Sequence, residues 1–144
     1  MTVCAQGGHL AGRRRAGTGT LEAEVLMALK DEVGRRGEDC AAEYLVEAGY
    51  TLLDRNWRCD QGEIDLIASR DGDIVFVEVK TRSGVGYGHP FEAITVRKLA
   101  RMRRLAGAWC RQSGWRARHI RIDAIAVINR PGREPLVEHL EGVY

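Results

Sequence analysis

The strongest constraint in this chain is a pair of alternating segments, EIDLIASR at 63–70 and DIVFVEVKT at 73–81, joined by Asp71-Gly72. Asp-Gly between two such runs is a strong signal for a two-residue β-hairpin, because both turn positions need positive φ. With that turn at the tip the register follows. On one face Ile64 opposes Val79, Leu66 opposes Val77 and Ala68 opposes Val75. That face is wholly apolar and belongs in a core. On the other, Ile67 opposes Phe76, Asp65 opposes Glu78 and Glu63 opposes Lys80.

The Asp65–Glu78 pair is costly. Directly opposed residues have Cβ atoms about 5 Å apart, and like charges there destabilise a sheet. At an effective dielectric near 20 the repulsion is on the order of 3 kcal/mol, a large share of the roughly 5–15 kcal/mol that holds a domain together. A divalent cation between the carboxylates would remove it, and so would a proton on one of them. Two carboxylates, with positions left for water and phosphate oxygens, suit Mg²⁺ or Mn²⁺. Lys80, two residues beyond Glu78, projects to the same face, where it can orient an attacking water or stabilise charge developing on a phosphate. The plainer alternative is the solvated outside of a hairpin, with Glu63–Lys80 an ordinary cross-strand ion pair. Phe76 and Ile67 on the same face argue against full solvation.

Around the hairpin the chain alternates helix and strand. Val33, Gly37, Cys40, Ala41, Tyr44, Leu45 and Ala48 recur at helical spacing, and Gly49 follows as a stop. Residues 50–57 read as a strand and CDQG as a turn. A Gly-rich loop, SGVGYGHP, leads to a helix over 91–112; 118–128 is a strand, PGRE a turn, and 135–141 an added edge strand. Ahead of the first helix, GGHLAGRRRAGTGT has no sustained apolar period. Residues 1–30 are therefore expected to be disordered, with a short helical stub at 21–29, or to precede a native start at Met27.

Charge is segregated. From Arg97 to Arg121 there are nine Arg or Lys and no acidic residue, leaving 13 basic against 20 acidic side chains elsewhere. Such clustering is an electrostatic footprint for a polyanion. On a helical wheel Arg97, Arg101, Arg104 and Arg111 share a stripe opposite Leu99, Met102, Ala106, Trp109 and Cys110. Lys98, Arg103, Arg116, Arg118 and Arg121 would widen the patch. Arginine forks suit phosphate and position a duplex without reading its sequence. Trp109 and Trp115 are expected in the core or at its edge. The cysteines Cys4, Cys40, Cys59 and Cys110 form no CxxC pair, and no apolar run approaches the about 18 residues of a membrane span. A reducing cytoplasm is the expected compartment, and cysteine or serine nucleophile chemistry finds no support.

GEIDLIA followed by VFVEVKTR, after a GRRGE helix start, closely resembles the YraN family of uncharacterised bacterial proteins. That family is similar in turn to archaeal Holliday junction resolvases and other PD-(D/E)xK nucleases. The resemblance covers about residues 33–141. It implies an α/β, restriction-endonuclease-like α-β-β-β-α-β core with a mixed central sheet, the nuclease-like domain occupying 31–144. It also implies metal binding by Asp65 and Glu78, a catalytic Lys80, and an assisting catalytic Glu38 on the first helix. Ile64 stands where the motif has proline, at a position that is not a ligand. The function expected is a metal-dependent nuclease, cofactor Mg²⁺ or Mn²⁺, acting on branched or structured DNA such as junctions or flaps. RNA as substrate and a homodimer stay open. The rival is a non-catalytic nucleic-acid-binding protein retaining a vestigial site.

Overall fold

The computed structural model describes residues 18–83 and 88–143. Helix α1 (Thr18–Glu47) is followed by strands β1 (Thr51–Cys59), β2 (Gly62–Arg70) and β3 (Asp73–Ser83). A short 3-10 turn (Pro90–Ala93) and helix α2 (Val96–Ser113) then lead to β4 (His119–Arg130) and β5 (Arg133–Leu140). The strands form one sheet in sequence order. Neighbours are antiparallel except β3 and β4, which run parallel because α2 crosses between them. This is the mixed-sheet α-β-β-β-α-β order that the sequence implies, with β5 as the added edge.

Two apolar layers enclose the sheet. Ala41, Ala42 and Leu45 of α1 pack on Leu66, Ala68, Val75, Val77, Ile125 and Val127. Leu105, Ala106 and Trp109 of α2 pack on Ile67, Ile74 and Phe76. Alternation along β2 and β3 sends consecutive side chains to opposite layers, and burying a large one such as Phe76 or Leu45 is worth about 2 kcal/mol. Trp109 is core, edge-on to Phe76 with ring centroids 5.7 Å apart, and its indole N–H donates to Asp54 at 3.3 Å. Trp115 is half exposed.

The hairpin has the expected register from Arg70–Asp73 back to Leu66–Val77, with Asp71 and Gly72 both at positive φ. There the β2–β3 ladder ends. Ile64–Val79, Asp65–Glu78 and Glu63–Lys80 are not laddered pairs, and the chemistry collects where the strands part. Ile64 accordingly departs from its expected face: beyond the ladder, alternation against β3 no longer orients it, and it packs with Trp57 in the α2 layer.

Helix α1 also starts earlier than its apolar period suggests. The short helical stub expected at 21–29 is part of a continuous helix that includes all of 18–30, with Leu21, Val25, Leu26, Met27 and Leu29 exposed. Helix formers such as Leu, Glu, Ala and Met fill this stretch, and an already nucleated helix extends through them at little cost. The expectation for residues 1–17 lies outside the described residues. The expected helix over 91–112 is two elements, since Thr95 caps α2 by accepting the Lys98 N–H at 3.2 Å.

Gly37 decides how closely α1 approaches β3. A Cβ there would lie 1.8 Å from Thr81 Oγ1 and 3.0 Å from Thr81 Cβ, whereas one at Gly34 meets nothing within 4 Å. Of the two glycines in GRRGE, only Gly37 is needed for packing. Gly37→Ala is expected to destabilise by about 1–3 kcal/mol through overpacking, a fall in melting temperature of about 5 °C or more. Gly34→Ala should leave the melt unchanged or raise it, by up to about 1 kcal/mol of helix propensity. Thermal melts of the two variants check this, and equal effects would contradict it.

Candidate active site

Where β2 and β3 part, Asp65 turns its carboxylate to the neighbouring backbone: Oδ2 accepts the Val79 N–H at 2.8 Å. The side chain thus satisfies an amide that the opened ladder would leave unpaired. Glu78 and Lys80 follow on β3 and form an ion pair, Nζ to Oε1, at 2.9 Å, with both side chains largely buried. The ordinary surface pair Glu63–Lys80 is not made, because Glu63 turns to Arg58 at 2.9 Å. Gly37 brings α1 against Thr81, and Glu38, the next residue, reaches the same cleft. That cleft, about 430 Å³ in volume, is lined by Glu38, Asp65, Glu78, Lys80, Lys98 and Arg101, among others. All four expected catalytic residues therefore meet, along with two of the expected phosphate contacts.

The electrostatics are unfavourable without a cation. Burial, then repulsion from Glu78, pushes the Asp65 carboxyl up to about 7; the Val79 amide eases this, Glu38 adds to it and Lys80 opposes it. Burial likewise pushes Glu38 above its ordinary value, eased by the side chain of Asn56. Without a cation the Asp65 carboxyl is thus held toward its protonated form.

This donor set fits a hard, water-rich cation. Among the described residues no three His, Cys, Asp or Glu side chains are grouped as a ready-made metal site, so a cation here would rest on few protein ligands and keep several waters. Asp65 and Glu78 supply carboxylate oxygens with room beside them, and Mg²⁺ or Mn²⁺ keeps several waters. Asp65 and Glu78 would hold it, with Glu38 lining the same cleft as the assisting carboxylate.

The arginine stripe on α2 is exposed at Arg97, Arg101, Arg104 and Arg111, while Met102, Leu105, Ala106 and Trp109 are buried. Lys98 is half-buried and donates to the Ala93 carbonyl at 2.8 Å. Its cleft-facing end is at Lys98 and Arg101, so the stripe starts at the site. The wider patch is corrected at Arg121. The Arg118 backbone N–H donates to Gly72 at the hairpin tip, 3.0 Å away, and β3 runs about 23 Å from there to Lys80 at the usual strand rise. Arg121 is engaged elsewhere: its guanidinium donates twice to the fully buried Asp123, at 2.8 Å each, and to the Tyr50 hydroxyl at 2.7 Å.

Asp123 anchors a buried polar network that the sequence did not disclose. His139 Nε2 meets it at 2.6 Å and the Gly142 N–H at 3.0 Å, while Tyr44 meets His139 Nδ1 at 3.3 Å. Burial pushes this carboxyl up, but the His139, Arg121 and Gly142 hydrogen bonds outweigh burial and hold it below the ordinary value. The network ties β4, β5 and α1 together and is structural. Its signal was one acidic residue inside an apolar strand, RIDAIAVI.

Residues 37–127 match the model of an uncharacterised protein family, UPF0102. Curated relatives carry the same description. One from Leifsonia xyli subsp. xyli is 53% identical over 117 residues, 81% of this chain and 99% of that protein. One from Arthrobacter sp. strain FB24 is 52% identical with the same coverage. One from Rhodococcus jostii strain RHA1 is 48% identical over 118 residues, 82% of this chain and all of that protein.

The raised Asp65 carboxyl generates a pH test. The native state binds this proton more tightly than the unfolded chain, whose carboxyl stays near 3.8. Its contribution is therefore favourable below about pH 4 and is lost as pH rises through about 7. Asp65→Asn keeps an oxygen for the Val79 N–H and removes the charge. In chelator, the variant should overtake wild type as pH rises from 4 to 8, by on the order of 2–4 kcal/mol at the upper end. A stability difference that is flat across this range, measured by denaturant melts, would mean Asp65 is not held against its charge.

Proposed function

The chain belongs to the uncharacterised protein family UPF0102, and within it we propose that this protein is a Mg²⁺- or Mn²⁺-dependent nuclease, hydrolysing phosphodiester bonds in branched or structured DNA. One observation carries the reading: a single cleft gathers Asp65, Glu78 and Glu38 beside Lys80, Lys98 and Arg101. Carboxylates alone would suit a cation, and lysine and arginine alone would suit a phosphate. Their convergence suits a phosphodiester whose charge is neutralised while water attacks phosphorus.

When bound, the cation would polarise a phosphate oxygen and lower the pKa of a water. The chain's own residues do the rest. Asp65 is held by the Val79 N–H and Glu78 by Lys80, so the two carboxylates are oriented before substrate arrives. As an ammonium paired to Glu78, Lys80 donates hydrogen bonds to the attacking water or to a non-bridging phosphate oxygen. Lys98 and Arg101 contact the flanking phosphates. Arg97, Arg104 and Arg111 continue that contact along the backbone, favouring a preferred shape over a preferred sequence.

The test is a panel of forked, junction, duplex and single-stranded DNA, with matched RNA, incubated with Mg²⁺ or Mn²⁺. Cleavage of a branched DNA that is abolished by Asp65→Asn and by Glu78→Gln is the expected result. Tight binding of the panel with no turnover would replace the proposal with a non-catalytic binding protein, and preferential RNA cleavage would correct the substrate. Replacing Arg97, Arg101 and Arg104 with Ala should weaken binding alike for unrelated sequences. It should also flatten the slope of log affinity against log salt by about 2–3, near 0.9 per lost phosphate contact. An unchanged slope would show that the stripe faces something else.

A further inference from the structure

Within the described residues, two non-glycine residues have positive φ, Asp71 at 55° and Asn56 at 49°. Asp71 needs no further explanation, since it sits in the hairpin turn. Asn56 lies inside β1 with laddered neighbours on both sides, Arg55 opposite Leu66 and Trp57 opposite Ile64. That register puts Asn56 directly across from Asp65, where opposed residues are about 5 Å apart. The left-handed backbone is unfavourable there by about 1–2 kcal/mol for most residues, and Asn is among the few that adopt it. Strain of this kind concentrates where a side chain must be aimed.

The Asn56 side chain lies against Glu38 and eases the effect of burial on its carboxyl, and both residues line the cleft adjoining the site. Its neighbours on β1 are occupied in the same way. Arg55 pairs with Asp39, and Arg58 holds Glu63 at 2.9 Å. A run of β1 thus engages Glu38 together with Asp39 and Glu63, the two carboxylates that repel it. The two arginines draw Asp39 and Glu63 to themselves. Asn56, being uncharged, can hold Glu38 without neutralising it.

We propose that Asn56 is the positioning residue for Glu38: its side-chain amide, presented by the left-handed turn in β1, fixes the Glu38 carboxylate beside the Asp65–Glu78 pair. This role rests on the metal-dependent reading above. Asn56 touches no reacting atom and acts through Glu38 alone, so its effect on the cation should vanish when Glu38 can no longer bear charge.

Asn56→Gly is the informative variant, because glycine keeps the left-handed backbone and loses only the amide. Calorimetric titration with Mn²⁺, on the full chain and without nucleic acid, should show affinity weakened by about 10-fold or more, the usual scale for a group that orients a ligand. Combined with Glu38→Gln, Asn56→Gly should weaken binding no further than Glu38→Gln alone. Wild-type affinity in Asn56→Gly, or additive losses in the double variant, would overturn the proposal. A metal-free measurement stands beside it and does not depend on the glycine variant folding: the Asn56 side-chain amide resonances of the metal-free protein should move on Glu38→Gln. Unmoved resonances would overturn the contact itself. Wild-type protein that takes up no Mn²⁺ would overturn the metal-dependent reading, and the role of Asn56 with it. That failure appears before any variant is made and is distinct from a failure of Asn56 alone.

Discussion

The structure turns on one hydrogen bond, from the Val79 amide to the Asp65 carboxylate. A hairpin with this turn would by default stay laddered along its length, and Asp65 and Glu78 would face each other as an unrelieved like-charge pair. Instead the ladder stops at Leu66–Val77, and the Asp65 side chain takes the amide that the missing rung exposes. The opening does two things together. It makes room between α1 and α2 for a cleft at the end of the sheet, and it anchors one carboxylate where charge is least welcome. Glu78, which stays laddered to β4, pairs with Lys80 two residues along the same strand, and Glu63 is left to Arg58.

The rest of the fold brings distant segments to that opening. Gly37 lets α1 lie against Thr81, so the next residue, Glu38, arrives at the cleft with a helix behind it. Thr95 caps α2 immediately before the first basic residues, which sets Lys98 and Arg101 on the opposite wall. On the far side of the sheet the Asp123 network holds β4, β5 and α1 by polar contacts that involve no cleft residue. Rigidity comes from one face and charge from the other.

The turn chemistry made the hairpin legible. Asp71-Gly72 determines register, and register determined which residues could meet; Leu66–Val77 through Arg70–Asp73 follow it without exception. Alternation and helical spacing likewise located both apolar layers and the arginine stripe. What stayed hidden depends on contacts between elements. No local pattern says that a ladder will stop, so Ile64 was assigned to the wrong layer. None says that Arg121, one of nine clustered cations, has a buried carboxylate two residues away as its partner. Asn56 breaks no period, since it closes the polar run Asp54-Arg55-Asn56 within β1. Its one clue was that Asn is a poor strand former, and only the backbone angle gives that clue meaning.

Charge is arranged on two scales that act separately. The cleft is a short-range problem, in which Glu78 and Glu38 repel the buried carboxyl of Asp65, where screening by salt is weak. The α2 stripe is, in the proposed nuclease, a long-range device, exposed and strongly screened, suited to a phosphate backbone of any sequence. In the proposed nuclease the two meet only at Lys98 and Arg101. Affinity is thereby placed in residues that can change without disturbing the carboxylates, and chemistry in residues that contribute little to affinity. A cation bound at the carboxylates would offset their charge, so that cleft and stripe would favour the same ligand.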